Sequence, residues 1–515
     1  MSKVYPVGIQ NFEKIRKDDF FYIDKTALVY QLVKNGNYYF LSRPRRFGKS
    51  LLISTLEAYF EGKRELFEGL AIEKLEKDWV KRPVLHLDLN TEKYETPESI
   101  ENILNDTLCQ WEKIYGTEPS ETSLPLRFKG IIRRANEKTG HRVAILVDEY
   151  DKPMLQAIGN EELQRSFRST LQAFYSVIKT MDGYIKFALL TGVTKFGKIS
   201  VFSALNNLMD LSMWNDYVAL CGITEQELRD NFKEGIEELA KAQRMTYEET
   251  CAVLKENYDG YHFTEDSIGI YNPFSLLNTF AKRKFGNYWF ETGTPTYLVE
   301  LLKMHDYDLH EMAHVETDED TLNSVDSSST NPIPVIYQSG YLTIKGYDPR
   351  FRVYRLGFPN KEVEEGFMEY LLPFYANVDK IESPFQIMKF VHEIEQGDYN
   401  AFFRRLQSFF ADTPYELVRD LELHYQNVLF IVFKLIGFYV KAEYHTAEGR
   451  IDLMLQTDRF IYIMEFKLEG TANEALQQIE EKQYALPFIK DSRKLFKIGV
   501  NFSAKTRNIE EWKVK

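Results

Sequence analysis

The stretch YYFLSRPRRFGKSLLISTLEAYF, Tyr38 to Phe60, decides the fold. Its opening, Tyr38 to Ser42, is aromatic and apolar and predicts a buried strand. LLISTLEAYF predicts a helix, and the basic turn SRPRRFGKS, Ser42 to Ser50, joins the two. A strand, a tight turn and a helix N-terminus together hold phosphate, because the first-turn N–H groups and the helix dipole both face the anion. Gly48, Lys49 and Ser50 match the end of GxxxxGK[ST], where the lysine reaches the β- and γ-phosphates and the hydroxyl ligates Mg²⁺. Arg43 stands where that pattern has its first glycine, and a side chain there must avoid positive φ or accept strain.

Outward from this loop, VLHLDLN (Val84 to Asn90), RVAILVDEY (Arg142 to Tyr150), IKFALLTG (Ile185 to Gly192) and the weaker YVALCG (Tyr217 to Gly222) alternate with helix-length segments. That alternation predicts parallel strands covered on both faces, an α/β layer fold. VAILV runs straight into Asp148 and Glu149, and a strand buried on both faces can carry acids only at its end, the ligand edge of such a sheet. Asp148 is expected to hold the Mg²⁺ shell through water, and Glu149 to orient or activate the water that attacks the γ-phosphate. Thr191, closing the next apolar run, offers a hydroxyl to the γ-phosphate or to that water.

From Thr224, a candidate N-cap, the pattern turns helical. The aromatic stretches YDGYHF, YNPFSLL and NYWFETGTPTYL are expected to pack a helical lid. Thr317 to Asn331 reads as a polar loop, and IPVIYQSGYLTIKGYD with Phe351 to Leu356 predicts a hairpin or small wing. A helix around Glu416 to Val440, strands near Arg450 to Gln456 and Arg459 to Leu468, and a helix from Asn473 close the chain. The expected division is 1–215, 216–360 and 361–515, with the core of the last at about 415–505.

In that last part Glu465 and Lys467 are two apart on a strand and share a face with Ile461 and Ile463. An acid and a lysine on a buried strand are costly unless paired with each other, a metal or a substrate. Asp452 lies on the neighbouring strand, where it can meet Glu465. Two carboxylates on an oxygen-seeking Mg²⁺, with a lysine to activate water or stabilise developing charge, are the parts of phosphodiester hydrolysis. Glu422, on the helix LELHYQNVLFIVFKL, offers another carboxylate, and Gln478, in ALQQIEEKQYA, can lean over the same place. The competing reading is a structural Glu465–Lys467 pair.

YPVGIQNFEKIRKDDFFYIDKT, RPRRFGKSLL, LVDEYDKP and TGVTKFGKISVFSALNNLMDLS together resemble the AAA-ATPase-like family of bacterial P-loop proteins over about the first two hundred residues. The resemblance implies ATP as the nucleotide. Related loops read GPRRxGK[ST], which implies phosphate-binding roles for Arg45 and Arg46 beside Gly48, Lys49 and Ser50. GRIDLML, YIMEFKLEG and EALQQIEEKQYA resemble the PD-(D/E)xK nuclease superfamily domain that accompanies that family. This implies a restriction-endonuclease-like α/β domain with Asp452, Glu465 and Lys467 at its centre, following a P-loop NTPase sheet with a helical lid and small wing.

Composition narrows the remaining classes. The 515 residues, 44% apolar and 27% charged with 27 Gly and 17 Pro, exclude a disordered or collagenous chain. A net charge of −13 excludes a surface built throughout to coat nucleic acid and leaves room for a local basic groove. Cys109, Cys221 and Cys251 have neither disulfide-framework nor CxxC spacing, which suits a reducing cytoplasm. The start MSKVYPVGIQNFEKIRKDD has no apolar core of a signal, and Val428 to Val440, broken by Lys434, falls short of the ~20 residues of a membrane span. His310-Glu311-Met312-Ala313-His314 fits the zinc-protease HExxH, but an acidic loop-like stretch follows at once where a long helix and a third ligand are needed. The expected function is therefore ATP binding and hydrolysis joined to Mg²⁺-dependent cleavage of nucleic acid, DNA ahead of RNA, with a homo-oligomer left open. The alternatives are a nonenzymatic nucleotide switch that only grips nucleic acid and, remotely, a zinc metalloprotease.

Overall fold

The computed structural model describes residues 4–195, 207–291, 296–313, 315–323, 325, 331–376, 378–411, 421–447, 450–468 and 470–515. The chain divides into two compact units, one of Met1–Gly293 with Val315–Glu362, the other of Thr294–His314 with Val363–Lys515.

The first unit is built on strands β1 (Tyr38–Ser42), β2 (Val84–Asp88), β3 (Val143–Asp148), β4 (Ile185–Gly192) and β5 (Met209–Asp210), in the order β2-β3-β4-β1-β5 and all parallel. β1 and β3 are buried at every position, as a sheet covered on both faces requires. β4 lies between the loop strand β1 and the acid-ended β3, pairing Leu41 with Thr191 and Val147 with Leu190. The ends that carry the loop, the hydroxyl and the two acids are thereby brought side by side. Helices Pro97–Tyr115, Leu124–Thr139 and Glu161–Thr180 pack together, with Phe128 stacked on Phe174 at 4.5 Å between ring centres.

Tyr217 to Gly222, expected as a weak strand, is instead largely a 3₁₀ turn, Asn215–Leu220. The edge of β1 is occupied by the two-residue β5, so the apolar run has no partner there, and tertiary context overrides its β-propensity. It is followed by β6 (Ile223–Thr224), which pairs antiparallel with β7 (Ile270–Tyr271). Thr224 caps the helix Glu225–Asn231 as expected, in a capping box with Glu227. The lid core gathers Leu228, Phe232, Ile236, Leu254, Tyr258 and Phe280.

The wing is a three-stranded antiparallel sheet of β8 (Val315–Asp318), β9 (Thr343–Asp348) and β10 (Val353–Gly357), in the order β8-β10-β9. IPVIYQ, part of the expected β-rich run, is a helix, Ile333–Gln338. Proline in its first turn favours that start, and Gly340 at φ 91° ends it, with Tyr341 N–H returning to Ile336 O at 3.1 Å. Val315–Asp318, in a stretch read as acidic loop, finds a partner in β10 and becomes an edge strand.

The second unit carries β11 (Lys441–Ala447), β12 (Arg450–Gln456), β13 (Phe460–Leu468), β14 (Lys494–Ser503) and β15 (Asn508–Val514) in sequential order. β13 and β14 are parallel, joined through the helix Ala472–Glu481, and every other pairing is antiparallel. Phe466 turns to Phe403 and Phe433, on helices Tyr399–Phe410 and Leu421–Gly437. The other face receives Ala472–Glu481, so closely that a Cβ on Gly499 would lie 2.1 Å from Ala472 O. Among the described residues no helix is long and apolar enough to cross a membrane.

Candidate active sites

The turn after β1 bends through left-handed residues at Arg46, φ 65°, and Gly48, φ 96°, and Arg43 is not among the residues with positive φ. Arg43 therefore fills the first-glycine position without left-handed strain. Its side chain is buried, with Nη1 donating to Ser42 O and Ser212 O at 2.9 Å each and the guanidinium 3.9 Å from the centre of the Phe263 ring. Burial lowers its pKa to about 10. Arg45 and Arg46 are exposed. Gly48 caps the helix Lys49–Phe60, whose second residue is Ser50.

Lys49 is buried against its own loop: Nζ donates to Arg43 O at 3.1 Å and Pro44 O at 3.3 Å and lies 3.4 Å from Glu149 Oε1. Asp148 is buried, and the Thr191 hydroxyl donates to its Oδ1 at 2.5 Å. Glu149 has φ 53°, an unusual conformation for a side-chain-bearing residue and of the kind that collects at functional sites. The structure thus brings Lys49, Asp148, Glu149 and Thr191 together at one edge of the sheet.

Asp151 completes this corner, and the sequence reading passed over it although LVDEYDKP contains it. The side chain is fully buried and accepts from Thr194 N–H at 2.6 Å, Thr194 O–H at 2.7 Å and Val193 N–H at 3.2 Å. Burial, and after it the charge of Glu149, push its pKa up to about 6. Tyr150 N–H donates to Thr191 O at 3.0 Å, so the residues after β3 are stitched to those after β4. Gly192 permits the approach, because a Cβ there would sit 2.6 Å from Asp151 Oδ1. The signal that could have found Asp151 is a third acid just past the end of a buried strand.

Beside Gly48 opens an apolar cavity of about 110 Å³, lined by Pro6, Tyr22, Ile23, Leu52, Leu220 and Ile223 among others. Lys25 borders it with its Nζ bound to both carboxylate oxygens of Glu227 at 2.6 Å.

In the second unit the register sets Asp452 opposite Glu465 and Arg450 opposite Lys467, with Gly499 beside Glu465 and Asn501 beside Lys467. Glu465 is fully buried on the face covered by Ala472–Glu481, and Lys467 is half-buried. The Asp452 side chain lies outside the described part of the structure. Gln478 is half-buried on the covering helix. Glu422 accepts from Gln426 Nε2 at 3.3 Å, and its helix packs on the opposite face of the sheet, the face of Phe466.

His310 sits in a short 3₁₀ segment, Leu309–Ala313, and His314 lies outside the described residues. Among the described residues no group of three or more His, Cys, Asp or Glu is arranged to hold a metal ion.

Residues 6–202 match the predicted AAA-ATPase family, and residues 420–512 match the PD-(D/E)XK nuclease superfamily. A protein of Azotobacter chroococcum mcd 1, described as the uncharacterized protein in the vnfD 5′ region, is 36% identical over 525 residues, covering 98% of each chain. Among solved structures, the Aeropyrum pernix ORC2 protein in ADPNP and ADP complexes aligns with 65% of this chain and 88% of its own, at 10% identity and a TM-score of 0.24.

Proposed function

This chain belongs to the family of predicted AAA-ATPases that end in a PD-(D/E)XK nuclease superfamily domain, and from that premise we propose that it binds and hydrolyses ATP and cleaves phosphodiester bonds of nucleic acid. In this reading 1–215 is the ATPase domain, 216–360 the lid and wing, and 361–515 the helical lead-in and nuclease domain, its core at about 415–505.

The observation that carries the reading is the convergence of Lys49, Asp148, Glu149 and Thr191 at one sheet edge, with Glu149 in a left-handed conformation. The donor set fits Mg²⁺-ATP: first-turn amides, an ammonium, a hydroxyl and a buried acid. Ser50 and Asp148 would hold the metal, with Arg45 and Arg46 exposed beside the phosphates. Lys49 exchanges the Arg43 and Pro44 carbonyls for phosphate oxygens, a charge-assisted contact in place of a neutral one. Glu149, parted from Lys49, takes the proton of the attacking water at its carboxylate. Thr191 holds Asp148 in place through its hydroxyl.

The apolar cavity beside Gly48 suits the flat face of a purine.

In the C-terminal domain Asp452 and Glu465 would hold a divalent cation, with Lys467 two residues along the same face for the developing charge and Gln478 on the covering helix, whereas Glu422, on the helix of the opposite face, is left out of this set. At both sites the cation supplies charge neutralisation on phosphoryl oxygens and an activated water. Three free cysteines, two of them buried, suit the cytoplasm.

The test is a plasmid-nicking assay in Mg²⁺, with and without ATP, run beside phosphate release. Nicked circles and released phosphate are expected, with double-stranded DNA as the first substrate. Nucleotide binding with neither product would favour the nonenzymatic switch.

A further inference from the structure

Trp289 joins the phosphate loop to the end of its own unit. Its indole Nε1–H donates to Arg45 O at 3.1 Å, and its backbone N–H donates to Glu362 Oε1 at 2.8 Å. Glu362 is buried at 1% exposure, and the Ser275 hydroxyl lies across its two oxygens at 2.9 and 2.7 Å. The chain passes out of the first unit at two places, after Gly293 and after Glu362. Trp289 is in the short helix Tyr288–Glu291 just before the first exit, and Glu362 is itself the second. The helix before the first exit and the residue at the second are therefore joined through Trp289, which is itself joined to the loop.

The surroundings make this attachment stiff. The Trp289 ring is buried against Tyr341, 5.0 Å between centres, and Phe290, 5.3 Å. Just before the second exit, Asn360 Nδ2 donates to Asp259 O at 2.8 Å and Lys345 Nζ to Pro359 O at 3.0 Å. The buried Glu362 carboxylate tolerates no loss of donors, because an unsatisfied buried charge is costly. At the other end, Lys49 rests on the carbonyls of Arg43 and Pro44, directly before the Arg45 peptide that Trp289 holds. A move of Lys49 from those carbonyls to phosphate would free the two peptides that directly precede the acceptor of the indole.

We propose that Trp289 is a positioning residue through which nucleotide occupancy of the phosphate loop changes both chain exits together, so that ATP governs cleavage by the C-terminal domain. The inference rests on the reading of the loop as an ATP site. Trp289 makes its contact with the Arg45 carbonyl and acts on the nuclease only through the exits.

The test is amide hydrogen exchange of the full chain with and without Mg²⁺ and a non-hydrolysable ATP analogue, in wild type and Trp289→Phe. Phenylalanine keeps a ring against Tyr341 and Phe290 and removes the Nε1–H donor. In wild type the analogue should slow exchange at 43–50 and change it at 287–291 and 360–366 by roughly fivefold or more, the lower end of ordinary site-to-site coupling. In Trp289→Phe the loop should still be protected while the response at both exits is lost. No protection at 43–50 in wild type would overturn the ATP reading itself. A protected loop with silent exits, or exits that respond equally in both proteins, would overturn the role of Trp289 alone. If Trp289→Phe does not fold, Ser275→Ala replaces it: loosening only the Glu362 end, it should diminish the response at 360–366 and spare 287–291, and an unchanged response at 360–366 would count against the inference.

Discussion

Asp148 and Glu465 are both carboxylates on largely apolar strands, and the two sheets hold them differently. Asp148 ends β3 of a wholly parallel sheet, and its partners are the Thr191 hydroxyl at the end of the neighbouring β4 and the N–H of Glu149, the next residue. Glu465 lies inside β13 of a mixed sheet, fully buried, and its surroundings come from register: Asp452 across, Gly499 beside, Lys467 two residues on. A parallel sheet assembles chemistry beyond its edge, where loops can be tuned independently. Within the mixed sheet the carboxylate is enclosed instead, because Gly499 beside it admits the covering helix where a side chain would collide.

The largest effect expected from this contrast is at Glu465. Glu465→Ala should lower Mg²⁺-dependent nicking by about 10³-fold or more, because a metal ligand underlies several kcal/mol of transition-state stabilisation. Without Mg²⁺ its melting temperature should hold or rise, since a buried carboxylate opposite another acid is relieved of repulsion. If Glu465 instead serves only to pair with Lys467, deletion strands the lysine and costs ~3 to 5 kcal/mol. A melting curve beside the nicking assay decides: marked destabilisation with unaltered cleavage breaks the comparison.

At the other site Glu149→Gln should keep ATP affinity and lose hydrolysis by roughly 10²- to 10⁴-fold, the range for removal of a general base. Phosphate release and equilibrium binding on the same preparation check both halves. An unchanged hydrolysis rate would remove Glu149 from the chemistry and leave its left-handed backbone unexplained.

The two sites were unequally legible. A short apolar run that stops at two acids, and a GKS that follows a strand, are local signals, so β1, β3 and the loop could be located from sequence. So could the β12–β13 hairpin, closed by Thr457 N–H on Phe460 O at 2.9 Å. What escaped depends on distant partners. β5 has two residues and exists only through the edge of β1. β8 is a strand only because β10 accepts it. In β14 the lysines at 494 and 497 obscure an otherwise apolar run. Asp151 was hidden for the same reason, since its meaning lies in Val193 and Thr194, across the sheet edge.

A smaller effect is expected at Lys49. Its ammonium has two neutral carbonyls and one carboxylate to leave among the described residues, and a hydrogen bond to a charged phosphate contributes about 1.5 to 3 kcal/mol. Lys49→Ala should therefore weaken ATP binding roughly 10- to 100-fold by titration calorimetry, with cleavage measured without ATP unchanged. A simultaneous loss of ATP-independent nicking would show that the sheet-edge site and the in-strand site are not separable.

The smallest expected effect is a pH dependence at Asp151. Its folded pKa is raised from 3.8 to about 6, chiefly by burial and then by the charge of Glu149. A folded pKa above the unfolded one means that the native state holds the proton more tightly, so this residue's contribution to stability falls as pH rises from about 4 to 6 and stays low above that. Asp151→Asn carries no charge to bury and keeps an oxygen for the Thr194 donors. Measured by chemical denaturation, the stability of Asp151→Asn relative to wild type should improve between about pH 4 and pH 6 and level off above that, the window between the unfolded and folded pKa of Asp151. Introducing Glu149→Gln should shrink that improvement without abolishing it, because the neighbouring charge is removed and the burial remains. A difference that stays flat with pH would mean that Asp151 is ionised throughout, held by Thr194 and the nearby Lys49, and the loop corner would then bury a permanent charge as the in-strand site does.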